Sequence, residues 1–288
     1  MQFMLMRRLL RISRPRFWIY VFGPYLVGAL CGADSPRQFF TPLSLLFALF
    51  WIFPANLLIY GANDIFDFET DRRNPKKIDY EALVEPREHS RLWLTIGLFC
   101  LPFAVFLPCL PLACSVALGC FLFFSLFYSA PPIRAKARPI WDSVFNVLYI
   151  FPGVFGFYLC GGRHLSPALF IGAWSWAMAM HAYSAVPDIS ADRQAQVPTI
   201  ATFFGLRPTL WLCLALYIFS ALCAAPVLRW FALGLVAFYV RLIWLSLREN
   251  SEEGVLKIYR YFPMINTFTG GAIFWFVLWS KAAFWPRF

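Results

Sequence analysis

The chain has 288 residues, 60% of them hydrophobic and 14% charged, with a mean hydropathy of +0.63. That is more apolar surface than one water-soluble core of this length can hold, so a soluble protein is excluded and an integral membrane protein is expected. The formal net charge of +10 does not point to nucleic acid. Lys and Arg cluster in short stretches between apolar runs, the pattern set by membrane topology and by attraction to anionic lipid.

Apolar runs long enough to cross a bilayer as helices fall at about 17–33, 40–62, 91–108, 112–130, 140–160, 167–187, 208–228, 229–248 and 261–281. About nine transmembrane helices in an all-α bundle follow. Gly23-Pro24 makes a poor signal-peptide core, so the first run is read as an uncleaved helix. Pro108 and Pro111 divide the third run from the fourth, and Arg229 alone divides the seventh from the eighth. With the N-terminus in the cytoplasm, nineteen of the 25 basic residues lie on that side and five on the other, with Arg241 inside a helix. The odd helix count then places the C-terminus on the opposite side of the cell membrane. The eight cysteines lie in or beside apolar runs and read as small buried hydrophobes. One domain over 1–288 is expected, with two longer polar stretches, 63–91 and 188–207, each opening on an aspartate cluster.

The first cluster is Asn63-Asp64-Ile65-Phe66-Asp67-Phe68-Glu69-Thr70-Asp71. Steps of three and four keep Asp64, Asp67 and Asp71 on one helical face, and the polar stripe continues back into the membrane through Tyr60 and Asn56. Polar groups inside a bilayer segment are costly unless they face a partner or a cavity. Arg72, Arg73, Lys76 and Lys77 follow directly and set anion-binding charge beside metal-binding charge. Next in the chain is Tyr128-Ser129-Ala130-Pro131-Pro132-Ile133-Arg134-Ala135-Lys136-Ala137-Arg138, where two prolines stiffen a basic loop. Asp142 and Asn146 stand one helical turn apart just beyond it. The second cluster runs from His181 to Arg193, with His181, Ser184, Asp188 and Asp192 in a row and Pro187 placed to kink the helix.

Two acidic faces converging at the cytoplasmic mouth of a bundle would hold Mg²⁺, which takes hard oxygen ligands and shares its shell with substrate phosphates. Diphosphate chemistry uses such a set. Bound Mg²⁺ with Lys and Arg stabilises a leaving diphosphate, and an apolar pocket keeps the remaining allyl cation from water. Gly153, Gly156 and Gly234 would either leave room for a long acceptor or let helices pack closely.

The Asn63-Asp64-x-x-Asp67-x-x-x-Asp71 motif, the Asp188-x-x-x-Asp192 pair and the Tyr-Ser-x-Pro-Pro loop together resemble the UbiA superfamily of intramembrane prenyltransferases. Ser13-Arg14-Pro15-Arg16-Phe17-Trp18, Asn74-Pro75-Lys76-Lys77, Lys136-Ala137-Arg138-Pro139 with Asp142-Ser143, and Ala185-Val186-Pro187-Asp188 look like its lycopene elongase group. The resemblance covers essentially the whole chain and implies nine helices around a lipid-accessible cavity capped by cytoplasmic loops. It implies Asn63, Asp64, Asp67, Asp188 and Asp192 as magnesium and diphosphate ligands, with Asp71 in support. Arg72, Lys77, Arg134, Lys136 and Arg193 would clamp the diphosphate. The implied reaction is ionisation of dimethylallyl diphosphate and attack by the end of a linear carotenoid such as lycopene, with water added in some members. Asp142, Tyr128 and His181 are the candidates for the terminal base. One residue departs from the pattern: Gln196 stands where the family usually has glycine.

Two other readings compete. An aromatic quinone precursor or a porphyrin-like alcohol could replace the carotenoid as acceptor. A cation-coupled transporter would also use intramembrane acids, but near the midplane of broken helices rather than at cytoplasmic ends beside basic loops.

Overall fold

The computed structural model describes residues 2–71, 83–249 and 251–281, with side chains for 6–69, 83–249 and 251–281. Among the described residues every regular element is helical. The nine expected segments correspond to α1 (Ile19–Gly32), α2 (Pro42–Phe66), α3 (Pro86–Cys109), α4 (Leu112–Ser129), α5 (Trp141–Leu159), α6 (Pro167–Ala185), α7 (Leu206–Leu228), α8 (Trp230–Glu249) and α9 (Glu252–Ser280). Seven of the nine are long and apolar enough to cross a membrane, so the count of nine spans is not reached on length and composition. The shortfall has a local cause in each case. Helix α1 has 14 residues, and Ser175, His181, Tyr183 and Ser184 dilute the apolar character of α6.

The chain's punctuation falls where proline and glycine chemistry puts it. Helices α2, α3 and α6 open with proline in the first turn, where its missing N–H costs nothing. Pro108 closes a 3₁₀ stretch, Leu101–Cys109, before α4 begins at Leu112. Arg229, at φ 52°, separates α7 from α8. Both soft boundaries of the sequence reading therefore hold. Helix α2 breaks at Phe53 before Pro54, and Asn56 Nδ2 donates to the carbonyls of Trp51 (3.0 Å) and Ile52 (2.8 Å) across the break. Asn56 is fully buried and mends the backbone, so it does not extend the acidic stripe as its spacing suggested.

The chain forms two compact units, Met1–Arg134 with Phe151–Arg163 and Lys281–Phe288, and Ala135–Ile150 with His164–Ser280; the division falls inside α5. In the first unit α1 lies along the Phe151–Leu159 half of α5. A Cβ on Gly28 would stand 1.9 Å from the Gly153 carbonyl oxygen, and one on Gly156 would stand 2.5 Å from the Tyr25 carbonyl oxygen. Around this contact Trp51 meets Phe121 edge-on at 4.8 Å and Phe47 meets Phe155 at 4.6 Å, pairs worth about 0.5–1.5 kcal/mol each beyond their buried area. In the second unit α6 packs on α7, the Tyr183 and Ser246 hydroxyls pair at 2.9 Å, and Tyr217 stacks on Tyr239 at 4.3 Å.

Of the three glycines considered as room for an acceptor, Gly153 and Gly156 are consumed by helix packing, and Gly234 alone faces open space. Overpacking a tight contact costs about 1–3 kcal/mol. Gly156→Ala is expected to lower the thermal midpoint of the detergent-solubilised protein by several degrees, while Gly234→Ala leaves it unchanged or slightly higher. Equal midpoints for the two variants would refute the close-packing role of Gly156.

Candidate active site

The first acidic motif ends α2. Asp64 lies in the last helical turn, Asp67 is the C-cap, and a short helix, Phe68–Asp71, follows. The helix bends at Asp67 (φ −106°, ψ 2°), so the motif is not one straight face. Asp64 and Asp67 are 3% and 1% exposed, and carboxylates so buried require countercharge. They have it. Arg14 Nη2 donates to Asp64 Oδ1 at 2.7 Å, and Arg134 Nη2 lies 3.9 Å from Asp67 Oδ1. Asn63 Nδ2 donates to Ser129 Oγ at 3.0 Å, which ties the acidic motif to the Tyr128-Ser129 loop, with Tyr128 half-buried beside it. The side chain of Asp71, and Arg72 and Lys77 altogether, lie outside the described residues.

Arg14 is the residue to which sequence reasoning gave no site role, although it stands in the Ser13–Trp18 stretch that carries part of the family resemblance. Pro15 disfavours the helical region for it, and its backbone is left-handed, at φ 50° and ψ 72°. Its guanidinium then sits against Asp64 and 4.8 Å above the Tyr60 ring, in a cation–π contact. The signal was an arginine directly before proline at the mouth of the first apolar run.

In the second unit, Pro187 has the effect expected of it. Helix α6 stops at Ala185, a 3₁₀ turn spans Val186–Asp188, and a short helix, Ile189–Gln194, carries Asp192. Asp188 and Asp192 are both half-buried. Burial first, and then the neighbouring Asp188 charge, push the Asp192 carboxyl up to about 6, against the pull of the Thr199 hydrogen bond and His181. Carboxylates whose charge is resisted in this way favour a cation as neighbour. Asp142, fully buried, accepts the amides of Ser143 at 2.9 Å and Ile200 at 2.7 Å, and His181 Nε2 lies 3.5 Å from its Oδ2. Lys136 is half-buried in a 3₁₀ turn, Ala135–Ala137. Arg193 is exposed, with Nη2 3.5 Å from the Thr202 carbonyl. The structure therefore gathers Asn63, Asp64, Asp67 and Arg134 in one unit, and His181, Asp142 and Asp192 in the other.

The donor set fits Mg²⁺. Carboxylate and amide oxygens are its ligands, and among the described residues no three acidic, imidazole or thiol side chains gather closely enough to hold a metal by themselves. An ion held by one or two carboxylates, with water and phosphate completing its shell, needs no such trio.

Among its described residues the chain thus has seven helices long and apolar enough to cross a membrane, and buried carboxylates set against arginines at the end of one of them. The UbiA prenyltransferase family model matches residues 21–261, and the chain belongs to that family; it is a prenyltransferase. A lycopene elongase/hydratase from Haloarcula japonica is 38% identical over 94% of this chain and 91% of its own length. One from Corynebacterium glutamicum is 31% identical over 93% and 95%. Among solved structures, a UbiA homolog from Archaeoglobus fulgidus bound to DMAPP and Mg²⁺ superposes with a TM-score of 0.67 at 21% identity, covering 93% of this chain and 99% of that one.

Gln196, the departure from the family's glycine, has φ 55°. The backbone conformation that glycine would suit is thus retained with a side chain that disfavours it by about 1–2 kcal/mol. Part of that is offset because glycine also frees the unfolded chain. Gln196→Gly is expected to raise the thermal midpoint by about 1–3 °C; a lower midpoint would mean that the glutamine side chain contributes more than its backbone costs.

Proposed function

We propose that the protein transfers a dimethylallyl group from its diphosphate to the end of a linear carotenoid of the lycopene type, with Mg²⁺ as cofactor. The observation that carries the acceptor is similarity over nearly the full length of both chains to several lycopene elongase/hydratases. Two acidic motifs, the first set against arginines, on a fold whose solved relative holds DMAPP and Mg²⁺, support the donor and the metal.

In this reading Asn63, Asp64, Asp67, Asp188 and Asp192 hold the metal-bound diphosphate, with Asp71 in support. Arg134, Lys136, Arg72, Lys77 and Arg193 neutralise its outer oxygens, and Arg14 joins them. Magnesium, when bound, supplies positive charge against the diphosphate oxygens as the leaving group forms. The allylic carbon–oxygen bond breaks and its electron pair leaves with the diphosphate. The terminal double bond of the carotenoid then supplies the pair for the new carbon–carbon bond. The tertiary cation that results loses a proton to a base, or adds water and then loses one. Tyr128 and His181 are the side chains proposed for that step. Asp142, with both oxygens engaged by backbone amides, suits a different task.

Removing a group that stabilises transition-state charge costs about 10²–10³-fold in rate. Asp64→Ala and Asp188→Ala are each expected to lower turnover by about 10²-fold or more while the protein still inserts. In a lycopene-producing host the intact protein should yield products longer by one or two five-carbon units, and Asp64→Ala should leave lycopene unchanged. Unaltered lycopene with the intact, inserted protein, together with prenylation of an aromatic acid by the same membranes, would move the acceptor to a quinone precursor.

The charge distribution supports a cytoplasmic N-terminus and a C-terminus on the opposite face of the cell membrane. A reporter fused after Gln196 should then read cytoplasm and one at the C-terminus the other side. Both reporters on one side would mean an even number of crossings.

A further inference from the structure

We infer that Asp142 and Thr199 are positioning residues that hold Asp192 in its metal-binding orientation, joined through the Thr199-Ile200 backbone. The inference rests on the proposed role of Asp192 as a magnesium ligand. Asp142 is fully buried at the start of α5, and its Oδ2 accepts the Ile200 amide at 2.7 Å while Oδ1 accepts the Ser143 amide at 2.9 Å. A buried carboxylate that accepts two amide protons is compensated where it stands and fixes the backbone that donates them. One residue before Ile200, the Thr199 hydroxyl lies 3.3 Å from Asp192 Oδ2 and donates to it.

The direction of that last bond is set by its surroundings. Thr199 caps the short helix Ile200–Phe204: its Oγ1 accepts the Thr202 amide at 3.2 Å, and its own amide donates to Thr202 Oγ1 at 2.8 Å. Thr202 Oγ1, 3.4 Å from the Thr199 hydroxyl, already donates to the Thr199 carbonyl at 2.9 Å. A hydroxyl has one proton to give, and Asp192 is the charged acceptor within reach. The Asp192 carbonyl also accepts the Val197 amide at 2.9 Å, so the turn through Gln196 closes on the residue whose side chain Thr199 holds. Such outer partners orient ligating carboxylates, and losing one costs about 10–100-fold in metal affinity.

The test uses the full-length protein in detergent, with Mn²⁺ followed by electron paramagnetic resonance in the presence of inorganic diphosphate, alongside the Mg²⁺ dependence of transfer from dimethylallyl diphosphate. Thr199→Val should raise the half-saturating Mn²⁺ and Mg²⁺ concentrations about tenfold while turnover at saturating metal stays within about threefold. Thr199→Ser, which keeps the hydroxyl, should bind metal like the wild type. Asp142→Asn, whose amide cannot accept both backbone protons, should weaken Mn²⁺ in the same direction, and the double variant should be no weaker than the worse single one. Wild-type Mn²⁺ affinity in Thr199→Val would overturn the inference. So would an Asp142→Asn protein that binds Mn²⁺ normally yet fails to turn over, since that is the behaviour of a catalytic base. A wild-type protein that binds no Mn²⁺ with diphosphate would remove the magnesium-site reading itself, and the inference with it.

Discussion

The structure depends on one electrostatic constraint: carboxylates removed from water at the edge of a membrane must be compensated where they stand. Asp64 at 3% and Asp67 at 1% exposure could not be tolerated at the end of an apolar helix without Arg14 and Arg134 beside them. Arg14 meets that requirement from a left-handed backbone directly before Pro15, with its guanidinium on Asp64. The Tyr-Ser-x-Pro-Pro loop is joined to the acidic motif through Asn63 and Ser129.

The second unit answers the same constraint differently. The Asp142 oxygens take two backbone amides, which are fixed dipoles rather than mobile charges, with His181 Nε2 3.5 Å from Oδ2. Asp192 is made reluctant to ionise by burial and by the nearby Asp188 charge, and the hydrogen bond from the Thr199 hydroxyl works against both. The first acidic motif is thus set against side-chain cations, and in the second unit Asp142 is set against backbone amides.

Away from the acids, packing is limited by sterics. The α1 contact with α5 is close because Gly28 and Gly156 have no side chain to keep the backbones apart, as is usual where helices associate without help from water. Aromatic pairs around Trp51 and Phe155 fill the space beside it. The high aromatic content therefore serves packing first, and its abundance alone says nothing of cation stabilisation.

Much of this protein was legible in the sequence because its signals are local. Proline and arginine mark helix ends, so the Pro108–Pro111 and Arg229 boundaries could be placed from residue type, and Pro187 could be expected to break its helix. Helical spacing grouped the aspartates, and the Tyr-Ser-Pro-Pro loop announced a stiff basic turn. What the sequence could not supply was partnership across long separations. Nothing in local pattern says that Arg14 pairs with a residue fifty positions away, that Asn56 spends its amide on a broken helix, or that Asp142 binds the amide of Ile200. Those choices are settled only when helices pack, because a hydrogen bond or ion pair is decided by distance and burial, and neither is a property of the chain written out in a line.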